Sequence, residues 1–321
     1  MGKCKRHIPI SLRGILLTLT LALTLNASAQ YDPYFSHYYD LQTQFNPAAA
    51  GKEARLNLAG VYAMTMAGFS NAPQTAYVSG DMPMQLGKTI HGFGVQFMND
   101  KAGLFTDMRF NGQYALRLKA RKGWLSLGVQ FGLINEKFRG SEAVTPEDGT
   151  DPAITKSDIT GSTIDLGAGL YYRRANWYAG LAAQHITSPT ITLGTTNERS
   201  IKPHFYANGG ADWQLRNPAW KVATSALVRY ENTAWRGDIT GRLIYTHDKL
   251  NLQGGFSYSP QNSVTVLAGG VFKGVMVGYS FEIYTNGISA RNGSHELFLG
   301  YQMDIDLTKK GKNRHQTTRT L

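Results

Sequence analysis

The residues of this 321-residue chain that could carry chemistry are its histidines, its acids and its paired glycines. Away from the two ends the histidines are His37, His91, His185, His204, His247 and His295. A Ser-His-Asp hydrolase needs a nucleophile and a base converging in a dry site. No Gly-x-Ser-x-Gly elbow occurs, and these histidines are scattered among strand starts, turns and loops. We read each as a surface or interior polar residue and expect no catalytic site. Asp100, Asp107, Asp165, Asp212, Asp238 and Glu282 could supply the paired carboxylates of glycoside chemistry. Charges on the polar faces of strands are more simply contacts that line an interior. Asp148 and Asp151 could offer oxygen ligands to calcium, but no loop signature fixes their geometry, so neither a metal site nor a cofactor is expected. Gly92-Phe93-Gly94, Gly167-Ala168-Gly169, Gly209-Gly210, Gly254-Gly255 and Gly269-Gly270 are not phosphate cradles, because none joins a strand to a helix. Glycine on an inner face lets a strand bend or another segment approach closely.

The N-terminus addresses the chain for export. Lys3, Lys5, Arg6 and Arg13 precede an apolar run from Ile15 to Leu25 and then Ala27-Ser28-Ala29, the layout of a secretory signal peptide. The run is about eleven residues, short of the roughly twenty an α-helix needs to span a bilayer. Cleavage after Ala29 would leave Gln30 first. The single cysteine, Cys4, lies before the run, so the exported part has no disulfide, thiolate metal site or cysteine nucleophile. The formal charge of +11 also shrinks. Four positive charges leave with the signal, and Lys309, Lys310, Lys312, Arg314 and Arg319 lie in a tail without acids, leaving about +2 on the body. Nucleic-acid binding loses its footing once the charge is located there.

The elements that must position these residues are strands. Apolar residues recur at every second position in segment after segment, the period of a strand rather than a helix. Met108, Phe110, Tyr114, Leu116 and Leu118 alternate with Arg109, Asn111, Gln113 and Arg117; Leu125, Leu127, Val129, Phe131 and Leu133 alternate with Ser126, Gly128, Gln130 and Gly132. Similar series run through 164–172, 222–230, 239–245, 250–258, 275–283 and 297–305. Weaker ones lie near 54–62, 74–83, 90–98, 177–185, 203–213 and 264–272. The total is about fourteen, each near the nine to eleven residues that a tilted strand needs to span hydrocarbon.

A soluble sandwich would alternate in the same way, so the connections decide. Every second one is short and basic: Leu86-Gly87-Lys88, Ala120-Arg121-Lys122-Gly123, Arg173-Arg174-Ala175-Asn176, Arg216-Asn217-Pro218, His247-Asp248-Lys249 and Lys273-Gly274. The opposite set includes 63–73, 134–161, 186–202 and 285–294, with Ser259 to Ser263 a short member. Bacterial barrels have short periplasmic turns and longer outer loops. Aromatics near strand ends, among them Trp177, Trp213, Trp220 and Trp235, suit a membrane interface. The expected fold is an all-β, transmembrane antiparallel up-and-down barrel of about fourteen strands. Residues 1–29 are the signal, 30–53 an N-terminal periplasmic arm or plug, 54–306 the barrel and 307–321 a disordered basic tail.

The segment after the signal reads Gln30-Tyr31-Asp32-Pro33-Tyr34-Phe35-Ser36-His37-Tyr38, followed by Gln44-Phe45-Asn46-Pro47-Ala48-Ala49-Ala50-Gly51. This resembles the start of the PorP/SprF family of Bacteroidota type IX secretion membrane proteins, whose mature ends look like Gln-Asp-Pro-x-Phe-Ser-Gln-Tyr followed by Asn-Pro-Ala-x-Ala-Gly. Tyr31 is inserted before Asp32-Pro33, His37 stands where glutamine is usual, and the basic tail runs past the last strand. The resemblance implies a non-enzymatic outer-membrane component of the type IX secretion and gliding machinery that aids export or surface retention of large proteins. Implied partners are other secretion components, periplasmic peptidoglycan-binding proteins and secreted proteins with C-terminal sorting domains, alongside outer-membrane lipid. Asp32, Pro33, Phe35, Asn46, Pro47 and Gly51 are the expected plug or partner-binding residues: Asp32-Pro33 and Asn46-Pro47 impose turns, and the nearby aromatics offer apolar anchors. A passive porin, a lipid-modifying enzyme and a soluble periplasmic β protein are the alternatives.

Overall fold

A computed structural model describes residues 32–142, 157–194, 197–231, 234–287 and 292–307. The signal peptide, Asp148, Asp151 and the basic tail from Lys309 onward lie outside them. Each alternating segment is a strand: β1 (Arg55–Met64), β2 (Gln74–Leu86), β3 (Thr89–Ala102), β4 (Phe105–Ala120), β5 (Gly123–Phe138), β6 (Ile159–Arg174), β7 (Trp177–Gln184), β10 (His204–Gln214), β11 (Trp220–Glu231), β12 (Ala234–His247), β13 (Leu250–Ser259), β14 (Ser263–Phe272), β15 (Val275–Tyr284) and β16 (Ser294–Asp304). Between β7 and β10 a small hairpin forms from β8 (Thr190–Leu193) and β9 (Asn197–Ser200). The fourteen larger strands form one closed antiparallel barrel in which sequence neighbours pair, β7 pairs directly with β10, and β1 closes the ring on β16.

Closure follows from what a bilayer demands. Lipid offers no partner to a backbone N–H or C=O, so a sheet spanning it must have no free edge. The β1 to β16 register runs unbroken from Arg55 opposite Asp304 to Met64 opposite His295. The apolar stripes point outward: Phe256 is 66% and Ile239 61% exposed, as are comparable residues around the ring, whereas Gln96, Gln113, Gln130, Asp165, Thr240 and Glu296 are buried inside. A soluble sandwich would place these two sets the other way round.

Five two-residue turns gather at one end of the barrel. Gly87-Lys88, Arg121-Lys122, Ala175-Asn176, Asp248-Lys249 and Lys273-Gly274 each join neighbouring strands. At Lys273 (φ 50°) and Gly274 (φ 87°) both positions are left-handed, the twist that a two-residue hairpin requires. The opposite end carries the long connections, but its lengths are less uniform than the sequence suggests: Gly103-Leu104 alone joins β3 to β4, and two positions separate β11 from β12. Several strands also exceed the expected nine to eleven residues. β4, β5 and β6 have sixteen each, because pairing continues past the greasy belt through polar stretches such as Asn135-Glu136-Lys137, where a strand no longer needs an apolar face. The β8–β9 hairpin folds back at this loop end, and Ile191 and Leu193 bury against Ile134 of β5 and Ile201.

Val129 lies near the middle of β5 and faces outward, 56% exposed. Val129→Arg is expected to lower unfolding free energy in lipid vesicles by about 2–4 kcal/mol, the cost of a midplane cation on a lipid face. Val129→Leu is expected to leave the denaturation midpoint where it was.

Candidate functional site

Residues 32–53 do not alternate and join no ladder, so their backbone groups must find other partners. They run inside the barrel, from the loop end at Asp32 to the short-turn end at Gly51, where the chain turns into β1. Two single-turn 3-10 helices, Gln42–Gln44 and Pro47–Ala49, shape the path. Asn46 caps the second, its Oδ1 accepting the Ala48 amide at 3.0 Å while its Nδ2 donates to the Leu170 carbonyl of β6 at 3.0 Å. Glutamines of the wall serve two of the segment's carbonyls. Gln96 and Gln113 both donate to Thr43 O (2.5 and 2.8 Å), and Gln184 donates to Gln44 O (2.9 Å).

Near the short-turn end the segment presses on a wall stripped of side chains. A Cβ on Gly128 would lie 2.2 Å from the Ala48 nitrogen, on Gly169 2.1 Å from Asn46 Oδ1, and on Gly92 2.0 Å from the Ala50 carbonyl oxygen. No non-bonded pair tolerates such distances, so these wall positions are glycine because Asn46-Pro47-Ala48-Ala49-Ala50-Gly51 passes there. Gly51 itself is left-handed (φ 62°) and donates its amide to Asp81 Oδ2 at 2.9 Å. Asp81 and Glu53 hold the exit: Glu53 bonds Arg173 at 2.5 Å and Arg55 at 3.0 Å.

Halfway along, aromatics and ions alternate. Phe35 packs against Tyr77, and His37 stacks on Phe298. Glu296 of β16 accepts the Ser36 amide (2.6 Å), the His37 amide (3.0 Å) and His37 Nδ1 (2.5 Å). Tyr34 lies beneath the Arg236 guanidinium at 3.8 Å, and Arg236 in turn bridges Asp238 (3.1 Å) and Glu282 (2.9 Å). Arg242 covers Tyr39 at 3.5 Å.

At the loop end everything converges on Asp32, which is 5% exposed. Its Oδ1 meets Arg109 of β4 and lies 3.4 Å from His185 Nε2; its Oδ2 lies 2.5 Å from His204 Nδ1 and accepts the Tyr206 hydroxyl at 2.7 Å. Burial alone would raise the Asp32 pKa, but His204, Arg109 and His185 outweigh it and hold the carboxyl well below the usual range. Three of these partners have a second acid behind them: Asp107 for Arg109 (2.7 Å), Asp165 for His185 (3.0 Å) and Glu231 for His204 (3.1 Å). Among the described residues Asp32, His185 and His204 could hold a metal ion, one ligand atom from each lying within 4.8 Å of the others.

The sequence-expected residues Asp32, Phe35, Asn46, Pro47 and Gly51 are all buried along this path, with Pro33 half-buried beside Asp32. Asp107, Asp165, Asp238 and Glu282 line it, as the reading of these acids as interior contacts anticipates, whereas Asp212 stands toward the short-turn rim bonded to Lys221. The residues sequence reasoning missed are Arg109, His185, His204, Tyr206 and Glu296. One signal was available: Arg109 follows Asp107 by two positions, so the pair shares one face of β4.

The family model for "Type IX secretion system membrane protein PorP/SprF" matches residues 27–301, spanning the threaded segment and nearly the whole barrel. The chain belongs to this PorP/SprF family. No curated protein matches it. Among solved structures similar to this PorP/SprF chain are the CymD monoaromatic hydrocarbon channel (9% identity, TM-score 0.50, covering 84% of this chain and 94% of that one) and the Pseudomonas putida toluene transporter TodX (10% identity, TM-score 0.49, covering 88% and 96%). At these identities the likeness to CymD is one of fold, an outer-membrane barrel.

Two outcomes follow for this PorP/SprF chain. Gly128→Val is expected to expel the Asn46–Gly51 turn, read as loss of hydrogen-exchange protection at Ala48 and Ala50, while Gly112→Ala, which meets nothing within 4 Å, leaves protection intact. Burial opposes ionisation of Glu53, but Lys52 and Arg173 prevail and draw its pKa from 4.5 down to about 2. A carboxylate depressed in the folded state contributes stability that is complete above the unfolded value and disappears as pH falls through the folded one. Glu53→Gln is therefore expected to lower the melting temperature in detergent above pH 4.5 and to converge with wild type near pH 2.

Proposed function

We propose that this outer-membrane barrel is a non-enzymatic scaffold of the type IX secretion machinery whose lumen is plugged by its own N-terminal segment. In this reading it aids export or surface retention of large secreted proteins by presenting its two rims, not by conducting solutes. The observation that carries it is the threaded segment itself: buried ion pairs and glycine-to-backbone contacts secure residues 32–51 at both ends and along the middle. Removing one partner of a buried pair costs about 3–5 kcal/mol, so several such pairs make a permanent filling.

The rims then divide the work. We assign the short-turn end to the periplasm, since short turns lie on that side in bacterial barrels. Its turns carry Lys88, Arg121, Lys122, Arg216, Lys249 and Lys273, β6 ends there on Arg173 and Arg174, and the tail adds Lys309, Lys310, Lys312, Arg314 and Arg319. Such a rim suits acidic periplasmic partners, including a peptidoglycan-binding component, or anionic headgroups. A cavity of about 310 Å³ opens there beneath the plug, lined by Asp40, Lys52, Glu53, Arg173, Asp212 and Arg242. The opposite rim, with its long loops, would face secreted proteins bearing C-terminal sorting domains.

The alternative is a passive channel, and two measurements separate them. Affinity capture of the detergent-solubilised protein from native membranes should bring secretion components with it, and truncation after Leu307 should reduce that recovery more at low than at high salt, because surface charge is screened. In planar bilayers the wild type should show no stable conductance, whereas Gly128→Val should. A steady open pore in the wild type, with nothing co-purifying, would sink the scaffold reading.

A further inference from the structure

We propose that Asp32, His185 and His204 form a divalent transition-metal site, of the zinc class, that fastens the start of the threaded segment to the barrel wall. The inference concerns binding alone and holds whether or not the segment closes a conduit. The three residues come from separate places in the chain: the threaded segment, the connection that leaves β7, and the first position of β10. All are buried, and one ligand atom from each lies within 4.8 Å of the others. Two imidazole nitrogens and a carboxylate oxygen, with a fourth position left for water, are a donor set that zinc accepts.

The surroundings of the rings are the second observation. Metal-bound histidines almost always present the far ring nitrogen to a carboxylate or carbonyl, which fixes the tautomer and aims the ligating nitrogen. Both rings here have a carboxylate within ion-pair distance of that nitrogen. His185 Nδ1 is 3.0 Å from Asp165 Oδ2, leaving Nε2 toward Asp32; His204 Nε2 is 3.1 Å from Glu231 Oε1, leaving Nδ1 toward Asp32. The rings sit edge to face with centroids 4.8 Å apart, and their inward nitrogens approach the two oxygens of the one Asp32 carboxylate.

Charge balance agrees. An ionised carboxylate only accepts hydrogen bonds, and every nitrogen of both rings faces one. A divalent cation placed between Asp32 and the rings would offset part of the negative charge that Asp32, Asp165 and Glu231 bring together there. Arg109 approaches Asp32 through the carboxylate oxygen that faces His185. It is held to Asp107 Oδ2 by Nε (3.0 Å) and Nη2 (2.7 Å) and meets Asp32 through Oδ1, leaving Oδ2, oriented by the Tyr206 hydroxyl, to ligate.

The test uses the full chain in detergent without a histidine tag, stripped with chelator and then dialysed against Zn²⁺ or Co²⁺. The folded protein is expected to retain close to one zinc per chain by elemental analysis after gel filtration, and the cobalt form to show the intense visible band of a four-coordinate site with nitrogen ligands. His185→Gln and His204→Gln should each abolish retention. Asp165→Asn should weaken affinity about 10- to 100-fold, as loss of an outer carboxylate does. His247→Gln, at the exposed end of β12, should change nothing. Retention well below one metal per folded wild-type chain, or undiminished retention in both histidine variants, overturns the proposal. Should those variants not fold, the cobalt spectrum of the wild type decides: no four-coordinate band, no site.

Discussion

The interior of this barrel is polar, and everything else in the structure depends on what that interior is paired with. Lipid on the outside takes every apolar stripe, so the alternate residues of all fourteen strands must turn inward, and many of them are charged. Arg109, Asp165, Asp238, Arg236, Glu282 and Glu296 are withdrawn from bulk water on the inner face. A charge so withdrawn is costly unless it meets a counter-charge with its remaining bonds satisfied. Some of that pairing is supplied within the wall, as Arg236 does for Asp238 and Glu282. The rest comes from the threaded segment, whose Asp32 answers Arg109 and two histidines and whose Ser36 and His37 satisfy Glu296. Wall and segment are thus complementary in charge at the loop end and in shape at the short-turn end.

Much of this was legible in the sequence. Period-two alternation identified each spanning strand, because a strand with lipid on one side and a polar interior on the other cannot hide its pattern. Connection parity identified the barrel, although Gly103-Leu104 shows that loops on the longer side are free to be short. Asn46-Pro47 and Gly51 stood out because proline and glycine punctuate irregular backbone whatever surrounds it. The length of β4 to β6 was not legible, since strand pairing that continues beyond the hydrocarbon no longer needs an apolar face and so leaves no alternation to read.

The cluster around Asp32 was invisible for a different reason. His185 and His204 look like unrelated residues on either side of a loop. They meet because β7 pairs with β10, with Gln184 opposite His204, while the intervening hairpin folds aside. Asp32 reaches them only by threading the lumen from the other side of the chain. No local period or spacing encodes such a meeting. Of the inner-face glycines, Gly92, Gly128 and Gly169 admit the segment, whereas Gly167 and Gly255 crowd first against other atoms of the wall; the residue type is the same, and only the path of residues 46–51 distinguishes them.

The position of β1 constrains how the complementarity can arise. It begins at Arg55, four residues beyond Gly51, and its other edge pairs with β16, the last strand in the chain. The ring therefore cannot close until the C-terminal strand arrives, and the threaded segment is tied directly to the strand that closes it. Gly51 packs against the Gly92 backbone too tightly for a side chain on either, and Asn46 is fully enclosed. Passing Phe35, Tyr38, Tyr39 and Phe45 through a finished barrel would require breaking those contacts while Asp32 was still unpaired. Seating the segment before β1 meets β16 avoids that barrier, because the wall then assembles around the charges that it must neutralise.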